Sequence, residues 1–467
     1  MQKNEKRELF ETMPVPKAIA QMAVPTIISQ LISLIYNVVD TLFIGQTGNS
    51  YMVAGVSLAY TVFMMTVSFG NLYGVGGGSL TARLMGKQDT EGAGRVTSYS
   101  FFGAIMIALV YSLLTGVFCN PLLKLLGTSE NTMTFAKQYV YTVVVAGNLP
   151  IILSAVIAHL LRNAGYSRQA SIGLSLGGVL NIALDPLFMF VLLPEGLEVF
   201  GAALATLLAN IVACIYLITV YRKVGKTAPL SMNGKLALSI TNEEKKALYK
   251  VGIPSAILTG LFDLANIVLN KLMSQYGDLP LAALGIVMKA ERLPNAINIG
   301  ICQGMLPIIA YNFSSGNRER MNAVIRTASV WGLGISFLCV GLFELCARPL
   351  TGVFLAAKGE SAEIAVATIG YAVVFLRLRC LASPLQFMNY RSSFCLQAMG
   401  NGTYTLLHAC VRELVFYIPF MYLLNGLFGM NGLVCSLIAG EGCGMLFALW
   451  LMARFMKKVS KEGKSAC

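Results

Sequence analysis

The sequence predicts an all-α, polytopic membrane protein with twelve transmembrane helices in two six-helix bundles. Three observations carry that prediction. The chain of 467 residues is 56% hydrophobic and only 12% charged, whereas a soluble globular domain carries about 25% charged residues. Apolar runs long enough to cross a bilayer, which takes roughly 20 residues, recur along the whole chain. The chain also repeats itself at an offset near half its length, about 230 residues.

The apolar runs cover 18–44, 52–82, 96–118, 134–161, 169–193, 199–221, 247–276, 280–314, 321–346, 362–396, 402–424 and 430–456. They are too long for barrel strands, so helices are the spanning elements. The loops alternate in charge. One side takes Lys3, Lys6, Arg7 and Lys17, then Arg83, Lys87 and Arg95, then Arg162 and Arg168. It also takes the central loop from Arg222 to Lys250, Arg318, Arg320 and Arg326, and the tail with Lys457, Lys458, Lys461 and Lys464. The other side has Lys124, Arg348 and Lys358. This asymmetry places both termini in the cytoplasm and the protein in the cell membrane as a multi-pass chain. The amino terminus lacks a signal-peptide pattern, so the first span is expected to remain. The net charge of +13 reads as topological, and no solvated basic face for nucleic acid is visible.

The internal repeat pairs MAVPTIISQ (22–30) with VGIPSAILT (251–259), and LRNAGYSRQA (161–170) with LQAMGNGTYT (396–405). GVGGGSLTARLMGKQD (74–89) pairs with ICQGMLPIIAYNFSSGNR (301–318) across a small gap. Six spans per half make a parallel repeat, related by a pseudo-two-fold axis along the membrane normal. The domains are then 1–221, a linker at 222–246, a second bundle at 247–456 and a basic tail at 457–467. Transporters that rock two halves about a central site use this arrangement.

One stretch, YNVVDTLFIG (36–45), holds the only charged side chain between Ala18 and Ile44, Asp40. A carboxylate inside a span costs about 2.5–3.5 kcal/mol on insertion scales, and intramembrane acids are functional candidates by default. At 1.5 Å per residue, Asp40 lies roughly 7 Å from the outer end of its helix, Asp185 roughly 12 Å and Thr206 roughly 10 Å. Asn181 is one turn below Asp185 on the same face. Four polar groups on three helices therefore share a depth band. Two carboxylates close together in a low dielectric do not both ionise cheaply, so the pair can hold a proton. With the Asn181 and Thr206 oxygens it can also supply hard ligands for Na⁺. Structural hydrogen bonding between helices is the competing role. Tyr36 and Asn37, one turn below Asp40, face the cavity or the same network. Pro25 removes a backbone hydrogen bond and is expected to kink the first helix.

YNVVDTLFIG, GGGSLTARLMGKQD (76–89), LRNAGYSRQASIGLSLGGVLNIALDPLFM (161–189) and QGMLPIIAYN (303–312) together resemble the MATE (multidrug and toxic compound extrusion) transporters. The resemblance implies a V-shaped central cavity and antiport of cationic, often aromatic compounds against Na⁺ or H⁺. It matches most closely the bacterial branch with a carboxylate site in the first bundle. It thereby implies that Asp40, Asn181, Asp185 and Thr206 form the cation-coupling site and that Pro25 marks a bend.

The second half departs from this pattern. The position matching Asp40 is Leu269, and Asp185 falls near Ile418. Asp263, Lys289, Glu291, Arg292, Arg377, Arg379, Arg391, Arg412, Glu413 and Glu441 appear instead. Arg412 and Glu441 share a depth of roughly 16–18 Å, which predicts an ion pair across the last two helices. Asp263 is one residue away from a helix 7 acid of another branch, and that role is not carried over.

A cavity for amphipathic cations needs Met and aromatic lining. Tyr36, Asn37, Met64 and Met288 are the candidates, with Tyr60, Phe63 and Met65 beside them. Arg377 and Arg379 instead allow an anionic or zwitterionic substrate, which keeps a second reading open, a lipid-linked precursor flippase of related architecture. An enzyme is disfavoured, because no catalytic triad order, metal-ligand cluster or phosphate loop appears, and His159 and His408 are isolated in sequence. The eleven cysteines contain no CxxC pair. The leading expectation is a non-enzymatic secondary antiporter without a resident cofactor, working as a monomer on small amphipathic molecules.

Overall fold

A computed structural model describes residues 2–356 and 362–464. Side chains are not described at 2–6, 263, 353–356, 362–365 and 460–464. Lys3, Lys6, Asp263, Lys358, Lys461 and Lys464 therefore lie outside the described side chains.

The described chain is helical throughout. Single helices α1 (Val15–Gln46), α2 (Ser50–Gly86) and α3 (Thr90–Val117) open the fold. α4 is a bent pair, Glu130–Ala146 and Asn148–Asn163. α5 (Ser167–Leu192) and α6 (Glu198–Val224) complete the first half. α7 (Asn242–Tyr276), α8 (Asp278–Ser314) and α9 (Arg318–Gly352) follow, then α10, the bent pair Val366–Cys380 and Ser383–Ala398. The last apolar helix, Gly402–Val459, has 58 residues, far more than one crossing needs. It breaks at Gly429, whose φ of 60° is open to a residue without Cβ. Residues 402–428 are thus α11 and 430–459 are α12. With that division the described residues form twelve spans, the number the sequence predicts.

The two halves meet where α1 packs along α8 and α2 along α7. Glycines allow the close approach. A Cβ at Gly76 would lie 2.7 Å from the Leu248 carbonyl oxygen, one at Gly304 would lie 2.6 Å from Ala23 Cα, and one at Gly252 would collide with the Leu72 carbonyl. Leu9, Phe10, Ile19 and Met22 share one apolar core with Met305, Ile309 and Leu396. Arg95 of α3 pairs with Glu244 of α7 at 2.7 Å, and Glu244 also closes a capping box with Thr241.

Both chain ends gather at this seam. Phe455 stacks on Phe313 at 6.3 Å. An amino-terminal helix, Gln2–Glu11, stacks Phe10 on Tyr311 at 4.9 Å. Arg320 donates to the carbonyls of Leu9, Phe10 and Met13 at 3.1, 2.7 and 2.7 Å. These carbonyls have no further turn to bond to, so the guanidinium caps them. The outermost hydrogen bonds between the halves are Gln30–Gln303 at 3.4 Å and Asn71–Thr259 at 3.5 Å. Beyond that level, among the described residues, no hydrogen bond joins the halves. The fold is closed at the end that carries both termini.

Candidate functional site

The first-half acids sit beyond that closed level. Helix α1 continues through Pro25 without a break in its helical assignment, so the expected kink is not a discontinuity of the helix. Nearby carbonyls find side-chain donors: Thr26 Oγ1 and Ser167 Oγ both bond the Met22 carbonyl, at 2.9 and 2.6 Å. Gly178 brings α5 against α1. A Cβ there would lie 2.9 Å from Ile32 and 3.2 Å from the Tyr36 ring. That contact sets Tyr36 one turn below the acid pair.

Pro186 follows Asp185 and lacks the N–H that would bond Ile182, and the chain continues as a wider π turn, Leu187–Leu192. Such turns recur at functional sites. Asn181 Nδ2 donates to Asp185 Oδ1 at 2.9 Å and to Thr206 Oγ1 at 3.3 Å. Asp185 is fully buried and Asn181 nearly so. Asp40 lies within electrostatic reach of Asp185. Hydrogen bonds thus join three of the four residues grouped by depth, Asn181, Asp185 and Thr206, across α5 and α6. Asp40 Oδ1, Asn181 Oδ1 and Asp185 Oδ2 are all buried acceptors without a donor among the described residues. Native structures leave few such groups. Buried acceptor oxygens without a donor are chemically suited to a proton or a small hard cation.

Other candidates fall elsewhere. Asn37 Nδ2 donates to the Ser33 carbonyl of its own helix at 2.6 Å. Met288 packs on the second-half core around Leu269 and Phe375, away from the acids. Met64 is half-buried on α2. Tyr139 of α4 and Tyr60 of α2, by contrast, lie within electrostatic reach of Tyr36, and Tyr139 also of Asp40 and Asp185.

The second half handles charge differently. Arg379 forks onto Glu291 with bonds of 2.8 and 2.9 Å, both side chains being largely buried. Arg377 lies 3.6 Å from Glu344 in an exposed setting. Arg412 does meet Glu441, at 3.8 Å, but its shorter partner is Glu413, reached through Nε at 3.0 Å. Asn389 bonds the Glu441 carboxylate at 2.6 Å, and His408 links Asn389 (3.1 Å) to Ser393 (3.0 Å). His408, isolated in sequence, is a buried member of this network.

The MatE family model matches residues 25–187 and 254–423, one stretch in each half. The chain belongs to the MatE family. Among its relatives, the multidrug export protein MepA of Staphylococcus aureus is 30% identical over 451 residues, 96% of each chain. MepA of Staphylococcus saprophyticus is 29% identical over 96% of each chain. A crystal structure of MATE in complex with MaL6 aligns with a TM-score of 0.89 at 23% identity, covering 98% of this chain and 99% of that one. MatE proteins are transporters, and this one is a multi-pass membrane protein, not an enzyme. In this MatE chain sequence spacing missed Tyr139 and the Arg412–Glu413 contact. A π turn at Val140–Ala146 begins directly after Tyr139, and another at Val411–Tyr417 carries Arg412 and Glu413. Such turns shift the 3.6-residue register on which spacing arguments depend.

Proposed function

We propose that this MatE protein is a secondary antiporter that exports amphipathic, cationic compounds in exchange for H⁺ or Na⁺ by alternating access. The observation that carries the reading is the set of buried, donor-less oxygens on Asp40, Asn181 and Asp185. Lacking donors, they favour the state that takes up a proton or Na⁺. Thr206 Oγ1, already bonded to Asn181, completes a hard-oxygen ligand set for Na⁺.

The cycle has three parts. Cation binding favours one arrangement of the first bundle. Substrate favours the same arrangement in the cation's absence, so each displaces the other. Downhill cation flux then drives efflux. The positive-inside bias puts both termini in the cytoplasm, so the closed end described above faces the cytoplasm and the acids face outward. The multidrug export role of the MepA relatives and the Met and aromatic side chains of α1 and α2 support a cationic substrate. Of the second-half arginines that keep the flippase reading open, Arg377, Arg379 and Arg412 each face a glutamate.

Cationic dye efflux from proteoliposomes, under separate Na⁺ and pH gradients, tests the proposal. Wild-type protein transports under at least one gradient, and Asp40→Asn and Asp185→Asn do not. Wild-type rates in both variants would remove the coupling assignment. Transport of a lipid-linked precursor without dye efflux would favour the flippase.

A further inference from the structure

The closed seam contains a second feature that cation coupling does not use. A cavity of about 250 Å³ lies between α2 and α8, lined by Leu80, Arg83, Leu84, Lys87, Phe313 and Ser314. Its polar lining is two cations and a hydroxyl, with no carboxylate. Arg83 Nε donates within its own helix to the Ser79 carbonyl at 3.3 Å. Its Nη1 presses on the loop at Gly400, whose φ is 78° and where a Cβ would run into that nitrogen. Its Nη2 is buried and has no partner. On the second-half side, the Arg318 guanidinium lies 4.1 Å above the Phe313 ring. Among the described residues, Arg83, Lys87 and Arg318 enter no ion pair.

Attraction to the carbonyl end of α2 accounts for a basic residue in its last turn. It does not account for a guanidinium nitrogen buried without an acceptor, since carbonyls that could satisfy it end nearby. Nor does it account for two like charges, Arg83 and Lys87, lining one cavity that holds no carboxylate, where they repel. An anion between them answers both points. A phosphate group fits the donor set: a planar guanidinium offers forked N–H donors, a lysine offers a point charge, and a serine hydroxyl offers one further donor. Basic pockets between transmembrane helices bind lipid head groups in this way.

We propose that the seam binds a phosphate-bearing anion through Arg83, Lys87 and Ser314, either a lipid head group or free phosphate. The anion touches both α2 and α8. It therefore binds only the arrangement in which the end carrying the termini is closed, and it shifts the population toward that arrangement. The proposal is independent of which cation couples transport.

The full chain in nanodiscs tests it. Discs of phosphatidylcholine alone are compared with discs that also contain phosphatidylglycerol, with retained lipid read by native mass spectrometry. Inorganic phosphate is titrated into the phosphatidylcholine discs while Tm is followed. Wild-type protein retains phosphatidylglycerol, or shows a saturable rise of Tm with phosphate. The first result assigns the head group and the second assigns free phosphate. Arg83→Gln/Lys87→Gln weakens that response roughly tenfold or more, as losing charge-assisted contacts does. Arg222→Gln/Lys223→Gln, which removes two exposed cations at the end of α6, leaves it unchanged. Ser314→Ala removes a donor and no charge, lowers affinity by a smaller factor, and serves if the double variant does not fold. Equal responses in wild type, Arg83→Gln/Lys87→Gln and Ser314→Ala overturn the proposal.

Discussion

The two halves share a helical plan and treat buried charge in opposite ways. Among the described residues, the first half leaves Asp40 Oδ1 and Asp185 Oδ2 without a donor, and neither acid enters an ion pair. The second half has Leu269, fully buried, where Asp40 stands. Its own largely buried acids each face a guanidinium, Glu291 that of Arg379, and Glu413 and Glu441 together that of Arg412. A paired carboxylate is satisfied by the protein itself and resists change, because removing its partner leaves an uncompensated charge. An unpaired one must draw its counter-charge from outside. The same fold thus supplies a rigid bundle and, beside it, a bundle whose electrostatics depend on what has bound.

Perturbing each half in turn tests this difference. The largest effect is expected on transport: Asp40→Asn or Asp185→Asn reduces gradient-driven dye efflux to the level of empty liposomes. Next comes Arg412→Leu, which strands Glu413 and Glu441 in the second bundle. Breaking a buried pair costs about 3–5 kcal/mol, so thermal unfolding in detergent should show a clearly lowered Tm. Gly252→Val adds bulk against the Leu72 carbonyl at the seam, an overpacking cost of about 1–3 kcal/mol. It should open the terminal end, read as faster labelling of a cysteine introduced at Leu248. The smallest effect is on the stability of Asp185→Asn. Asn181 Oδ1 has no donor and can accept the added amide N–H, so stability should fall by about 1 kcal/mol or less and Tm should shift less than in Arg412→Leu. Loss of transport with retained stability in Asp185→Asn, and the reverse order for Arg412→Leu, would separate the two halves by role.

Much of this architecture is readable from residue order. Apolar runs of span length foretell twelve helices because the bilayer allows few alternatives. Asp40, Asn181, Asp185 and Thr206 emerge from depth and from i, i+4 spacing, since regular helices convert sequence distance into height. The rest depends on features that periodicity does not encode. Tyr139, within electrostatic reach of both acids, sits beside a π turn, and Arg412 turns to its neighbour Glu413 within another. Asn37 satisfied itself on its own helix, which no spacing rule distinguishes from a cavity position. The amino-terminal helix reads as a polar tail because its ten residues are mostly hydrophilic. Leu9 and Phe10, both buried, and Glu11, which accepts from the Tyr311 hydroxyl, carry it into the seam.

Cation release on substrate addition, measured on the purified full-length protein, addresses the role of the first-half cluster most directly. The account predicts release of H⁺ or Na⁺ from wild-type protein, and none from Asp40→Asn/Asp185→Asn at equal folded fraction. Undiminished release from that double variant would contradict it and move the coupling site out of the first bundle.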